Sequence, residues 1–100
     1  MQGATGRFER RVAKAETVDL LHMDEWPMEK HRATTENVSS LGARVITDSI
    51  WNPGKPVLVN ISEDNLKLGA RVVYCQRLED GKFAVGLRLN ARVERWQKPP

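Results

Sequence analysis

Apolar and polar residues alternate through most of this chain with a period of two, which predicts strands rather than helices. The clearest case is a hairpin at 70–89. Residues 70–78 are rich in β-branched and aromatic side chains, and Glu79-Asp80-Gly81 supplies the Asp-Gly pair that tight hairpin turns prefer. On the return strand, 83–89, Phe83, Val85, Leu87 and Leu89 face one way and Lys82, Ala84, Gly86 and Arg88 the other. Earlier, 42–48 sets Ala43, Val45 and Thr47 against Arg44 and Ile46, and 57–61 sets Val57, Val59 and Ile61 against Leu58 and Asn60. Between them, Asn52-Pro53-Gly54 has proline and glycine at the central positions of a type II turn. Two further strands fall at 18–23 and 31–35. Residues 24–30 connect them, because Pro27 cannot donate to a ladder. A polar turn closed by glycine covers 36–42, and 65–69 is a turn-rich link. Asn90 caps a short helix over 91–97, and 98–100 form a tail. Six short strands joined by glycine and proline turns predict an all-β domain over 18–97, a small six-stranded antiparallel barrel.

Ahead of the first strand the pattern changes. Phe8, Val12 and Ala15 have the i, i+4, i+7 spacing of a short amphipathic helix, while the glycines and threonines around them fit a mobile arm. The arm, residues 1–17, is the preferred reading. It concentrates charge: Arg7, Arg10, Arg11 and Lys14 lie within the first fourteen residues of a chain whose net charge is only +3. The placement of the cations therefore says more than their excess.

One hundred residues suit one domain with one modest core, not an enzyme with separate cofactor and substrate domains. The single cysteine, Cys75, excludes an internal disulfide and fits a reducing compartment. The chain begins without the apolar stretch of a signal peptide, and no apolar run is long enough for a spanning helix. The expectations are a cytoplasmic location and no membrane insertion.

Catalytic and metal chemistry have little support. His22 and His31 lack a cysteine pair or third histidine to complete a metal shell. Ser39 and Ser40 lack a nucleophile elbow, and Cys75, beside Val72-Val73-Tyr74, reads as a small buried apolar side chain. Asp24, Glu25 and Glu29 read as a solvated loop. Trp26, Trp51 and Trp96 read as core or partial core, with Trp96 covering a barrel end. No catalytic residue, metal ligand or cofactor is expected.

Two short motifs carry more information together than apart. Arg7 and Arg11 form Arg-x-x-x-Arg, and residues 37–42 form Asn-x-Ser-x-x-Gly ahead of a strand. In this order, about 26 residues apart and before a barrel pattern, they resemble the PilZ domain family, bacterial receptors for the second messenger cyclic di-GMP. The resemblance spans about residues 7–89 and includes the Asn-Pro-Gly turn, the 70–75 strand and the hairpin ending at Leu89. It implies a six-stranded antiparallel barrel of Greek-key type, with the arginine motif on a flexible segment before it. It also implies that Arg7 and Arg11 grip guanine and phosphate, while Asn37, Ser39 and Gly42 form the barrel-side half of the site. Asn37 stands where many members have aspartate. A shifted register would instead use Arg10 and Lys14.

These residue types suit that ligand. A guanidinium forks two donors onto phosphate oxygens or the O6/N7 edge of guanine and stacks on a purine, which lysine does poorly. Asn37 and Ser39 offer short donors and acceptors, and Gly42 permits a left-handed backbone or a close approach. The expected function is a non-catalytic cyclic di-GMP receptor that relays its signal to a protein partner or attached effector domain. The alternative is a PilZ-like adaptor for motility or pilus assembly that binds no nucleotide. DNA or RNA is not expected, because the six aromatics do not cluster on one strand.

Overall fold

A computed structural model describes residues 11–96. Seven strands follow in order: β1 (Val12–Ala13), β2 (Thr17–His22), β3 (Lys30–Ser39), β4 (Gly42–Thr47), β5 (Pro56–Ile61), β6 (Leu66–Arg77) and β7 (Phe83–Leu89). Every pairing is antiparallel. The ring runs β3-β2-β5-β6-β7-β4, and β4 pairs back onto β3, so six strands close a barrel without a free edge. β1 adds a two-residue ladder to β3, with Val12 opposite Val38 and Ala13 opposite Asn37.

The alternation places the core as expected. Val18 and Leu20 of β2, Val57, Val59 and Ile61 of β5, and Val85, Leu87 and Leu89 of β7 point inward with Ala43 and Val45. Both predicted tight turns have the required backbone. Gly54 has φ +89° and Lys55 N donates to Asn52 O at 3.2 Å, a type II turn. Asp80 and Gly81 both take left-handed φ, which matches the twist of the β6–β7 hairpin.

Several expectations are corrected. The strand expected at 31–35 runs on to Ser39, so Asn37 and Ser39 belong to β3 and the turn shrinks to residues 40–41. The link expected at 65–69 is mostly strand, with only Asn65 left-handed. The expected helix over 91–97 is a single 3-10 turn, Glu94–Trp96. Val93 N donates to Ser40 O, tying the segment back to the 40–41 turn, and Trp96 N donates to Val93 O at 3.0 Å, the bond of a 3-10 turn. So short a helix would be marginal in water. The turn nonetheless buries Trp96 and Val93 in the core.

Cys75 is half-buried rather than buried. Trp51 is core, but Trp26 is 87% exposed, because residues 23–29 lie outside the barrel wall. Arg7, Arg10, the arm as far as residue 10, and the tail at 98–100 lie outside the described residues.

Candidate functional site

Two irregularities turn a particular set of side chains outward. In β3 the register shifts between Thr35 and Asn37. Ala33 and Thr35 are buried before the shift and Val38 after it, so Glu36 and Asn37 both leave the inner face. In β6 the register shifts between Val72 and Tyr74. Val72 stays buried, while Val73 and Tyr74 are both exposed.

The ladders then align two rows on the outer surface. Across β1, β3, β4, β7 and β6, the first row reads Ala13, Asn37, Arg44, Gly86, Tyr74. Two positions along, the second row reads Ser39, Gly42, Arg88, Arg71, with Ser39 turned away from the core but fully buried. Arg11, immediately before β1, reaches this second row. A Cβ placed on Gly42 would stand 3.8 Å from Arg11 Nη1, 3.7 Å from Ser39 Oγ and 3.0 Å from Leu87 O. Gly42 is thus required by close approach and not by a left-handed backbone, since its φ is not positive.

A cleft of about 150 Å³ lies over this surface. Gly42, Gly86 and Leu87 occupy its centre, Arg11 and Leu41 one side, and Val73, Tyr74 and Arg88 the other. The missing side chains at the two glycines are what make it concave. Tyr74 lies flat across Gly86, where a Cβ would approach its ring to 2.2 Å. The ring is held from the first row by Arg44, whose Nη1 donates to Tyr74 Oη at 3.1 Å and to Gln76 Oε1 at 3.2 Å. Arg44 Nε also donates to Glu36 Oε1 at 2.5 Å. These bonds to Tyr74 and Glu36 push the guanidinium further above its ordinary pKa, fixing its charge.

The structure therefore brings Arg11, Ser39 and Gly42 together. Asn37 stands in the neighbouring row, half-buried and opposite Arg44. Ser39 also acts on its own turn, where its Oγ accepts from Leu41 N at 3.4 Å and supports residues 40–41. Lys14, in the alternative register, lies beyond β1, with its backbone N donating to Glu36 O at 3.3 Å and its carbonyl accepting from Thr35 Oγ1 at 2.5 Å. Sequence patterns do not single out Tyr74, Val73, Leu41 and Arg88 as cleft residues. They hold one pointer, Gly86 inside a strand, which signals a close approach by something else.

The site is braced from behind. Glu16, buried between β1 and β2, accepts from Arg95 Nη2 at 2.7 Å and from Trp96 Nε1 at 2.9 Å. Burial pushes its pKa up, but hydrogen bonds from Arg95 and Trp96, together with the Arg95 charge, outweigh this and hold it below the ordinary carboxylate value. Arg92 Nη1 donates to Ser40 Oγ at 2.9 Å, so the C-terminal turn holds both the β1–β2 link and the 40–41 turn.

For metals, His22, Asp24 and Glu25 bring three ligand atoms within 4.8 Å of one another, well away from the cleft. The two carboxylates are exposed, and Asp24 pairs with Lys55 at 3.3 Å. Among the described residues, no helix is long and apolar enough to cross a membrane.

An outward cleft lined by arginines beside an Asn-x-Ser-x-x-Gly hairpin on a closed six-stranded barrel agrees with comparison to known proteins. No curated protein matches the chain significantly. The family model for the PilZ domain matches residues 5–97, nearly the whole chain. The chain belongs to the PilZ domain family, a family of cyclic di-GMP receptors.

Proposed function

We propose that this domain binds cyclic di-GMP in the cleft between Arg11 and Tyr74 and relays occupancy through its N-terminal segment. The observation that carries this reading is the position of the Arg11 guanidinium beside Ser39 and Gly42. It favours the Arg7/Arg11 register over Arg10/Lys14 because, of the described arm cations Arg11 and Lys14, Arg11 is the one beside Ser39 and Gly42. Arg11 and Arg88 supply forked donors for phosphate or guanine edges. Tyr74, seated on Gly86, offers its outer face for a base, and Gly42 lets the ligand approach the backbone. Asn37 and Ser39 supply the short polar groups.

The relay is local. β1 is only two residues long and rests on β3 alone, so it belongs to the least stable part of the barrel. A ligand gripping Arg11 at its start, and Arg7 four residues earlier, anchors this segment and changes the surface that a partner meets.

Calorimetry with cyclic di-GMP tests the reading. The wild type is expected to bind at micromolar ligand. Arg7→Ala and Arg11→Ala each remove charge-assisted bonds worth about 1.5–3 kcal/mol, a loss of about 10- to 100-fold in affinity. Tyr74→Ala and Ser39→Ala are expected to weaken binding less. An absence of heat from the folded wild type would overturn the assignment, and unaffected arginine variants would move the site elsewhere.

A further inference from the structure

The other end of β4 from the cleft carries two features that the nucleotide reading does not use. The first is the loop at residues 23–29. Trp26 is 87% exposed there, with Met23, Met28 and the nearby Ile50 also exposed. The same seven residues hold Asp24, Glu25 and Glu29 and no cation, although the chain is net positive. The loop is fastened at its start by Asp24–Lys55 at 3.3 Å, and Glu25 and Glu29 lie 3.9 Å and 3.7 Å from His22 and His31. Its indole is therefore displayed on a held frame.

The second feature is a notch of about 430 Å³ that begins where the loop ends. The β3–β4 ladder stops at Thr34 opposite Ile46, and β4 leaves towards Phe83 of β7. Residues 30–33 run on past that point, and the barrel wall opens. Lys30, His31, Arg32 and Lys82 line the gap, with Asp48 as its one carboxylate.

We infer that this end of the barrel is a self-complementary surface through which two copies of the chain pair. An acidic loop with an apolar tip and a basic notch lie side by side on one end. A two-fold axis then brings each copy's loop onto the other's notch. The notch is large enough for an aromatic ring. Its lysine and arginine heads suit an indole face, for which Trp is the best cation–π partner. Glu25 and Glu29, which face only histidines in their own chain, meet the partner's cations, and the acidic loop would repel an anionic membrane or nucleic acid. The face is small, so the association is weak, in the micromolar range.

The test is sedimentation equilibrium of the full chain without nucleotide, so its outcome is independent of the ligand assignment. The wild type is expected to show a monomer–dimer equilibrium between micromolar and millimolar protein, weakened by salt. Trp26→Ala, an exposed change that leaves the fold intact, should be monomeric over that range. Lys30→Glu/Lys82→Glu alone and Glu25→Lys/Glu29→Lys alone should each be monomeric, because loop and notch then carry the same sign, whereas an equimolar mixture should associate, because the mixed pair has opposite charges at both contacts. A wild type that stays monomeric at millimolar concentration would overturn the proposal. So would a Trp26→Ala chain that dimerises like wild type, or a mixture that fails to associate.

Discussion

Tyr74 rests on β7 only because residue 86 is glycine. A Cβ there would stand 2.2 Å from Tyr74 Cε2, far inside contact distance, so Gly86→Ala must push the ring away from its Arg44 bond. Because the ring is an exposed side-chain end that can swing aside, stability should change by no more than about 0.5 kcal/mol, as urea denaturation would show. The displaced ring should lower affinity for cyclic di-GMP in the same preparation. Gly42→Ala is a subtler change: its Cβ meets the Leu87 carbonyl at 3.0 Å, a backbone atom that cannot swing aside. It should weaken ligand binding through the crowded Arg11, which a titration would report. Arg11, Ser39 and Gly42 are legible in the sequence because they sit close to one another on a hairpin and its adjoining strand. Tyr74 and Arg88 are not, since nothing local says which face of β6 and β7 their neighbours cover.

At the level of elements, two one-residue bulges decide what the barrel shows to solvent. Strict alternation through β3 would place Asn37 inward with Ala33 and Thr35, and the shift beyond Thr35 turns it out. Thr35 fastens the neighbouring segment: its Oγ1 accepts from Glu16 N at 2.8 Å and donates to Lys14 O. Thr35→Val removes both bonds and leaves buried groups unpaired, at a cost of about 1–3 kcal/mol. Thermal unfolding by circular dichroism would show it. Glu16 adds a pH dependence with a definite sign. Its folded pKa lies below the ordinary value, so the unfolded chain binds the proton more readily and stability rises with pH. The contribution is complete above the ordinary glutamate range and disappears as pH falls through the lowered value. The stability gap between wild type and Glu16→Gln should therefore be present at neutral pH and close in acid, as denaturant titrations across that range would record. Nothing local over 91–97 separates a short helix from a single turn, and the bond from Val93 N to Ser40 O with the i→i−3 bond from Trp96 N to Val93 O goes with the turn.

Across the whole molecule, the two proposed surfaces lie at opposite ends of one strand. β4 begins at the cleft, with Gly42, and ends at the basic notch, with Thr47. The tryptophans follow this division. Trp51 is buried and stacks on His22 with ring centroids 3.9 Å apart, so Trp51→Ala should cost about 3–5 kcal/mol in a denaturation experiment. Trp26 touches solvent, so Trp26→Ala should move stability by no more than about 0.5 kcal/mol. Composition treats the two alike. Only their places, one against the barrel and one on a loop beyond it, separate them.

By itself, the sequence determined the all-β class, the inward faces of β5 and β7, the two tight turns and the motif pair that marks the family. The first three depend on residues close in the chain, where period-two alternation, proline and glycine act directly on the backbone, and the motif pair is legible only through its resemblance to the family. Tertiary structure alone decided the bulges that turn Asn37 and Tyr74 outward, the glycine-floored cleft, and the bracing of Glu16 by Arg95 and Trp96 from nearly the far end of the chain. Those depend on which strands become neighbours when the barrel closes. That choice is made by the packing of the whole core, and no local pattern encodes it.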